Sequence, residues 1–160
     1  MIRKLSIANR GEIAIRIART AADMGIATVA IYSEDDAQSL HTRLTDEAVS
    51  LGQVGVPAYL NGARILEIAK ETGSDAIHAG YGFLSENAEF AKACGEAGVT
   101  FVGPSPAVLE EFGDKAAARA LAERWDVPVL PGISKAGSLA EAEDFLKSLG
   151  DGGSVMLKAI

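Results

Sequence analysis

Short apolar blocks alternate with stretches in which apolar residues recur at helical spacing. The blocks predict strands at Lys4–Asn9, Ala27–Ser33, Ala48–Leu51, Ala76–Ala79 and Thr100–Gly103. The periodic stretches predict helices at Glu12–Met24, Leu60–Glu71, Glu86–Glu96 and Pro106–Phe112. Such alternation points to an α/β fold: a Rossmann-like parallel sheet with helices on both faces. In the first helix Ile13, Ile17, Ala21 and Met24 form an apolar stripe, and Glu12, Arg16, Arg19 and Asp23 a charged one. Glu12–Arg16 and Arg19–Asp23 have the i, i+4 spacing of ion pairs. That stripe is either a solvated face or a polar subunit contact made through Arg16 and Arg19.

The texture changes after Gly113. "DKAAARALAERWDVPVLPG" reads as a helix followed by an extended segment, "SLAEAEDFLKSLG" as an amphipathic helix, and "SVMLKAI" as a strand. A boundary is expected near residue 113, giving a first domain over 1–113 and the opening of a second over 114–160. The second piece has too little apolar material to close a core alone, so it reads as truncated.

The turn in "IANRGEIAIRI" invites a dinucleotide reading, because a strand runs through a glycine into a helix. The dinucleotide fingerprint needs three glycines for tight turns and close phosphate approach. Gly11 stands alone between Arg10 and Glu12, and a carboxylate there competes with any phosphate drawn by the helix dipole. "YSEDD" imitates a ribose-binding acid, but without the glycines it carries little.

Composition narrows the classes. The 160 residues carry 22 acidic and 15 basic side chains, a formal charge of -7. That opposes nucleic-acid binding, which rests on a basic footprint. A single cysteine, Cys94, excludes an intrachain disulfide and a cysteine zinc site, and its alanine-rich helix marks it as packing. No apolar run is long enough to span a bilayer and no signal-peptide pattern opens the chain, so no membrane role and a cytoplasmic location are expected.

Ligands of open α/β sheets gather at the carboxyl ends of strands. There the chain offers "IHAGYGFLSEN", in which His78, Tyr81 and Gly82 follow the fourth strand and Ser85 or Asn87 can cap the next helix. Two lysines also stand out. Lys115 lies at a helix start, where the dipole disfavours it unless it meets an anion. Lys158 follows Val155, Met156 and Leu157, and a buried ammonium needs a carboxylate or a ligand phosphate.

Together "IANRGEIAIRI", "DEAVSLG", "YLN", "AIHAGYGFLSENAEFA", "FVGPS", "GDKAAAR", "VPVLPG" and "VMLKA" resemble the N-terminal part of biotin carboxylase, in the family's order from residue 5 onward. The resemblance implies a pre-ATP-grasp domain followed by the start of an ATP-grasp domain. It implies a parent ligase that carboxylates biotin with ATP and bicarbonate through carboxyphosphate. Lys115 and Lys158 match the family's phosphate-contacting lysines. Tyr81, with Gly82 and His78, falls near the biotin and bicarbonate pocket, and Arg16 and Arg19 match its homodimer contact. It implies ATP, magnesium held by residues outside this chain, biotin presented on a carrier protein or domain, and a carboxyltransferase partner. Ala79 replaces a common proline and Phe112 a common methionine, and neither change removes a functional group. The family's catalytic residues lie beyond Ile160, so the chain alone is expected to be inactive. Weighed against this are another ATP-grasp ligase such as the carbamoyl phosphate synthetase large subunit, a nicotinamide-dependent oxidoreductase, and a noncatalytic association module.

Overall fold

A computed structural model describes residues 1–133 and 137–157, which form two compact units, Met1–Leu109 and Glu110–Ile160. The first is built on a five-stranded parallel sheet in the order β3-β2-β1-β4-β5. The strands are β1 (Lys4–Ile7), β2 (Ala27–Tyr32), β3 (Glu47–Ser50), β4 (Ala76–His78) and β5 (Thr100–Phe101). In β1, Leu5 lies opposite Thr28 of β2 and Ala76 of β4.

Alternation along the strands divides the core in two. On one face Leu5, Ile7 and Ala76 pack against α1 (Gly11–Asp23). On the other, Ile31 and Ile77 pack against α2 (Val56–Tyr59), α3 (Gly62–Glu71) and α4 (Ala88–Glu96). Ile65, Ile68 and Ala69 of α3 sit at i, i+3 and i+4, which turns them inward together. Side chains of Asn61 and Asn87 accept the Arg64 and Phe90 amides at 3.1 and 2.7 Å, capping α3 and α4. Cys94 is fully buried in α4, and burial pushes its thiol up to about 11, so thiolate is scarce.

The first helix departs from its expected facing. Its buried residues are Ala14, Ala18 and Ala21, while Ile13 and Ile17 are half-buried and Met24 is exposed. Alanines let the helix axis approach the sheet closely, and the bulkier isoleucines are displaced to the flank. The expected Glu12–Arg16 and Arg19–Asp23 ion pairs do not form: the Glu12 carboxylate instead accepts the Tyr81 hydroxyl at 2.8 Å.

Two short 3-10 turns, Glu34–Asp36 and Leu40–Arg43, follow β2. His41 in the second is buried, with Nε2 3.3 Å from the Ile31 carbonyl and Nδ1 without a partner among the described residues. Burial lowers its pKa and keeps the ring neutral. α5 (Pro106–Gly113) leads out of this unit.

The second unit holds α6 (Lys115–Arg124) and α7 (Leu139–Ser148). Ser138 and Glu141 form a reciprocal capping box on α7. None of its described residues is buried. The strand expected at "SVMLKAI" is not formed over its described part, residues 154–157, where Met156 and Leu157 are 81% and 74% exposed. A strand needs a hydrogen-bonded neighbour, and the described residues offer this segment none.

Two carboxylates pin strand ends. Asp75 accepts the backbone amides of Arg3 and Lys4 at 3.1 Å, and Asp46 accepts the Thr28 amide at 2.7 Å and its hydroxyl at 2.9 Å. These bonds, backbone first, hold both carboxyls below their usual value. A lowered folded pKa gives stability that is complete above the unfolded value of about 3.9 and is lost as pH falls through the folded one. Thermal midpoints should therefore drop below about pH 4, and the drop should flatten in Asp46→Asn/Asp75→Asn.

Candidate functional site

The strand order reverses direction of growth at β1 and β4, and the carboxyl ends at such a point are where open α/β sheets hold their ligands. Asn9 and Arg10 leave β1 at this point, and residues 78–83 leave β4. Asn9 is fully buried, and a buried amide must find partners. Its Nδ2 donates to the carbonyls of Ala79 at 2.7 Å and Tyr81 at 2.9 Å, and its Oδ1 accepts the Arg10 amide at 2.9 Å. The chain thus bridges its own switch point with a side chain, where a dinucleotide fold would leave room for phosphate.

The bridged loop is tightly wound. Gly80, Gly82 and Phe83 have φ of 68°, 70° and 45°, all left-handed. A Cβ on Gly80 would lie 2.6 Å from Ile13 Cγ2 and 2.8 Å from Asn9 Nδ2. Phe83 has no such freedom, and a non-glycine residue in this region costs about 1–3 kcal/mol unless its surroundings hold it. This winding leaves Tyr81 65% exposed, its hydroxyl donating to Glu12 at the start of α1. That hydrogen bond raises the Tyr81 phenol above its ordinary value.

His78, at the end of β4, is half-buried, and its Nδ1 accepts the Gly80 amide at 2.9 Å. The hydrogen of the neutral ring therefore sits on Nε2. Burial lowers its pKa, so at neutral pH His78 is a donor rather than a charged acid. His78, Tyr81, Glu12 and Arg16 edge a groove of about 630 Å³ whose apolar wall includes Ile13, Ile17, Met24 and Val102. The displaced isoleucines of α1 are thus the wall of a cleft.

The structure brings together His78, Gly80, Tyr81 and Glu12, with Arg16 on the same groove. Gly82 is exposed beside them, and Arg19 is exposed further along α1. Lys115 belongs to the second unit, exposed in the first turn of α6, with no partner among the described residues. The Asp114 carboxylate already accepts the Ala116 and Ala117 amides at 2.7 and 2.8 Å, so those helix amides are not free for an anion. Lys158 lies outside the described residues. Among the described residues no three carboxylate, imidazole or thiol groups converge as a metal site.

Sequence reasoning gives no role to Asn9, Tyr59 or Phe83, takes Arg10 only as a flank of Gly11 and Asp36 only as part of a weak ribose-acid imitation in "YSEDD". Asn9 had a signal: it is a polar residue closing the predicted strand Lys4–Asn9, directly before the turn. The others meet through long-range packing that no local pattern announces.

A model of the family described as "Biotin carboxylase, N-terminal domain" matches residues 1–109. The chain belongs to the biotin carboxylase family. It is 53% identical over 161 residues to a biotin carboxylase of Halalkalibacterium halodurans, covering 99% of this chain and 35% of that protein. It is 51% identical over 152 residues to mitochondrial pyruvate carboxylase of Mus musculus, covering 93% of this chain and 13% of that one. Among solved structures, the biotin carboxylase domain of a single-chain bacterial carboxylase superposes with a TM-score of 0.89 at 52% identity. That match covers 92% of this chain and 34% of the other. A Hydrogenobacter thermophilus 2-oxoglutarate carboxylase biotin carboxylase domain dimer, in complex with MgADP, ADP and bicarbonate, gives 0.89 at 44% identity, covering 94% and 33%. The chain therefore spans about a third of these biotin carboxylases. The family match favours biotin carboxylase over the other ligases and the nicotinamide enzymes weighed from sequence. No helix among the described residues is long and apolar enough to cross a membrane.

The tight loop yields a graded expectation. Gly80→Ala meets both a positive φ and a filled space, and should lower the urea-unfolding free energy by about 2–4 kcal/mol. Gly82→Ala, with open space around its Cβ, should cost about 1–2 kcal/mol.

Proposed function

We propose that this chain is the N-terminal portion of an enzyme that carboxylates biotin with ATP and bicarbonate. The observation that carries the reading is the glycine-wound loop at the sheet's switch point, which sets Tyr81 and His78 at the edge of a half-apolar groove. Biotin combines an apolar thioether ring with a polar ureido group, which suits such a groove. Tyr81 and His78 supply its polar contacts, and Gly82 lets the backbone pass close by. Carboxyphosphate, formed from ATP and bicarbonate, delivers the carboxyl group to biotin N1.

ATP with magnesium supplies the phosphoryl group when bound, and Lys115 and Lys158 are the cations of this chain that would meet its phosphates. Charge neutralisation of that kind is the main protein contribution to phosphoryl transfer. Magnesium ligands, the catalytic base and the bicarbonate-holding arginine belong to the remainder of the parent. The reading assigns residues 1–113 to the pre-ATP-grasp domain and 114–160 to the opening of the ATP-grasp domain. It also includes a cytoplasmic parent with a biotin carrier, a carboxyltransferase partner and a homodimer contact through Arg16 and Arg19. In this reading the chain by itself is catalytically silent.

The test is ADP release with Mg-ATP and bicarbonate, with and without free biotin. It compares this chain with a chimera in which it replaces the matching region of the Halalkalibacterium halodurans enzyme. Biotin-stimulated turnover is expected in the chimera alone. There Tyr81→Phe should raise KM for biotin about three- to tenfold, the loss of one hydrogen bond, and Lys115→Ala should raise KM for ATP about tenfold. A folded chimera without biotin stimulation sinks the proposal, and turnover by the chain alone removes its silence.

A further inference from the structure

Three of the four residues from Gly80 to Phe83 have left-handed φ values, and only two of those are glycines. Asn9 holds the loop's start by its carbonyls, and Glu12 holds the Tyr81 hydroxyl. At its other end, Phe83 packs against the core under α2–α4 and closes a circuit of side chains from four chain segments. Its ring stacks on Tyr59 with centroids 5.0 Å apart. The Tyr59 hydroxyl donates to Asp36 Oδ2 at 2.8 Å. Arg10 Nη1 donates to the same oxygen at 3.2 Å. The Arg10 guanidinium returns to both rings, 5.7 Å from the Tyr59 centroid and 5.9 Å from that of Phe83.

Each link has a physical reason to hold. The Asp36 carboxylate is pushed up by burial, but the Tyr59, Arg10 and Ser39 bonds outweigh this and keep it ionised. Burial pushes the Tyr59 phenol up to about 12, so it remains a donor. A planar guanidinium can make an ion pair at its edge while resting on ring faces, which a lysine ammonium cannot do as well.

We propose that Arg10 is a positioning residue for the Tyr81 loop: through Asp36, Tyr59 and Phe83 it clamps the far end of the loop and thereby fixes where Tyr81 stands. For catalysis this rests on the substrate-side reading of that loop. Arg10 acts through Phe83 and is not itself a catalytic residue.

The clamp is testable on this chain by tyrosine 13Cζ NMR, because only Tyr32, Tyr59 and Tyr81 report. In the unsubstituted chain, the hydrogen bond to Glu12 holds the Tyr81 phenol above its ordinary value of about 10. In Arg10→Met, which keeps the stem and loses the cation, the Tyr81 midpoint should fall to about 10. Amide protection of β1 and β4 should survive, since the sheet does not depend on the clamp. Arg10→Lys should restore part of the shift. If Arg10→Met does not fold, Tyr59→Phe carries the test: it keeps the ring stack, breaks the Asp36 link and should lower the Tyr81 midpoint less. An unmoved Tyr81 midpoint in a folded variant overturns the clamp whatever the kinetics. In the chimera, Arg10→Lys should raise KM for biotin at least threefold and leave KM for ATP unchanged. A moved midpoint with an unchanged biotin KM upholds the clamp and overturns the substrate-side reading instead.

Discussion

The side chain of Asn9 is the constraint on which the site depends. It is fully buried at the carboxyl end of the central strand, so its amide must be satisfied within the protein. It finds its acceptors in the backbone following β4. This draws the turn after β1 against residues 79–81 so closely that position 80 has no room for a Cβ. Gly80 follows from that approach, whereas Gly82 answers only to its left-handed backbone, with open space where a Cβ would stand. A sheet with the strand order of nucleotide-binding folds thereby carries a protein-filled switch point.

A second consequence of close approach lies on the other flank of the same helix. Ala14, Ala18 and Ala21 bring α1 down onto Leu5, Ile7 and Ala76. The isoleucines that a simple helical wheel assigns to the core then line a groove instead. Small residues buy proximity, and proximity turns larger residues into walls. The groove is therefore a by-product of how the core is packed, and its shape is tied to the stability of the first unit.

Much of the fold is legible because the central strands are largely apolar blocks and α3, α4, α6 and α7 each start after an Asn, Asp or Ser whose side chain caps them. Asn87 was read as a possible cap and is one, while the second strand ended near the residue expected of it. The first helix was misread in facing, since a hydrophobicity stripe weighs isoleucine above alanine whereas packing against a sheet rewards the smaller side chain. The strand expected over 154–160 is not formed in its described part, 154–157, because β structure depends on a neighbour and local composition cannot supply one. The loop after β4 was visible through its glycines. The circuit of Arg10, Asp36, Tyr59 and Phe83 was not, because its members are scattered over more than 70 residues and share no periodicity.

Cys94 adds a practical property. It is the chain's sole thiol, enclosed in α4 and held almost wholly protonated near neutral pH. Alkylating reagents attack thiolates, so the folded protein is a nearly silent background for them. A cysteine introduced at an exposed position such as Arg19 would be modified selectively, without first removing the native one. The packing that makes Cys94 chemically dull thus makes the molecule ready for site-specific fluorescent or spin labels.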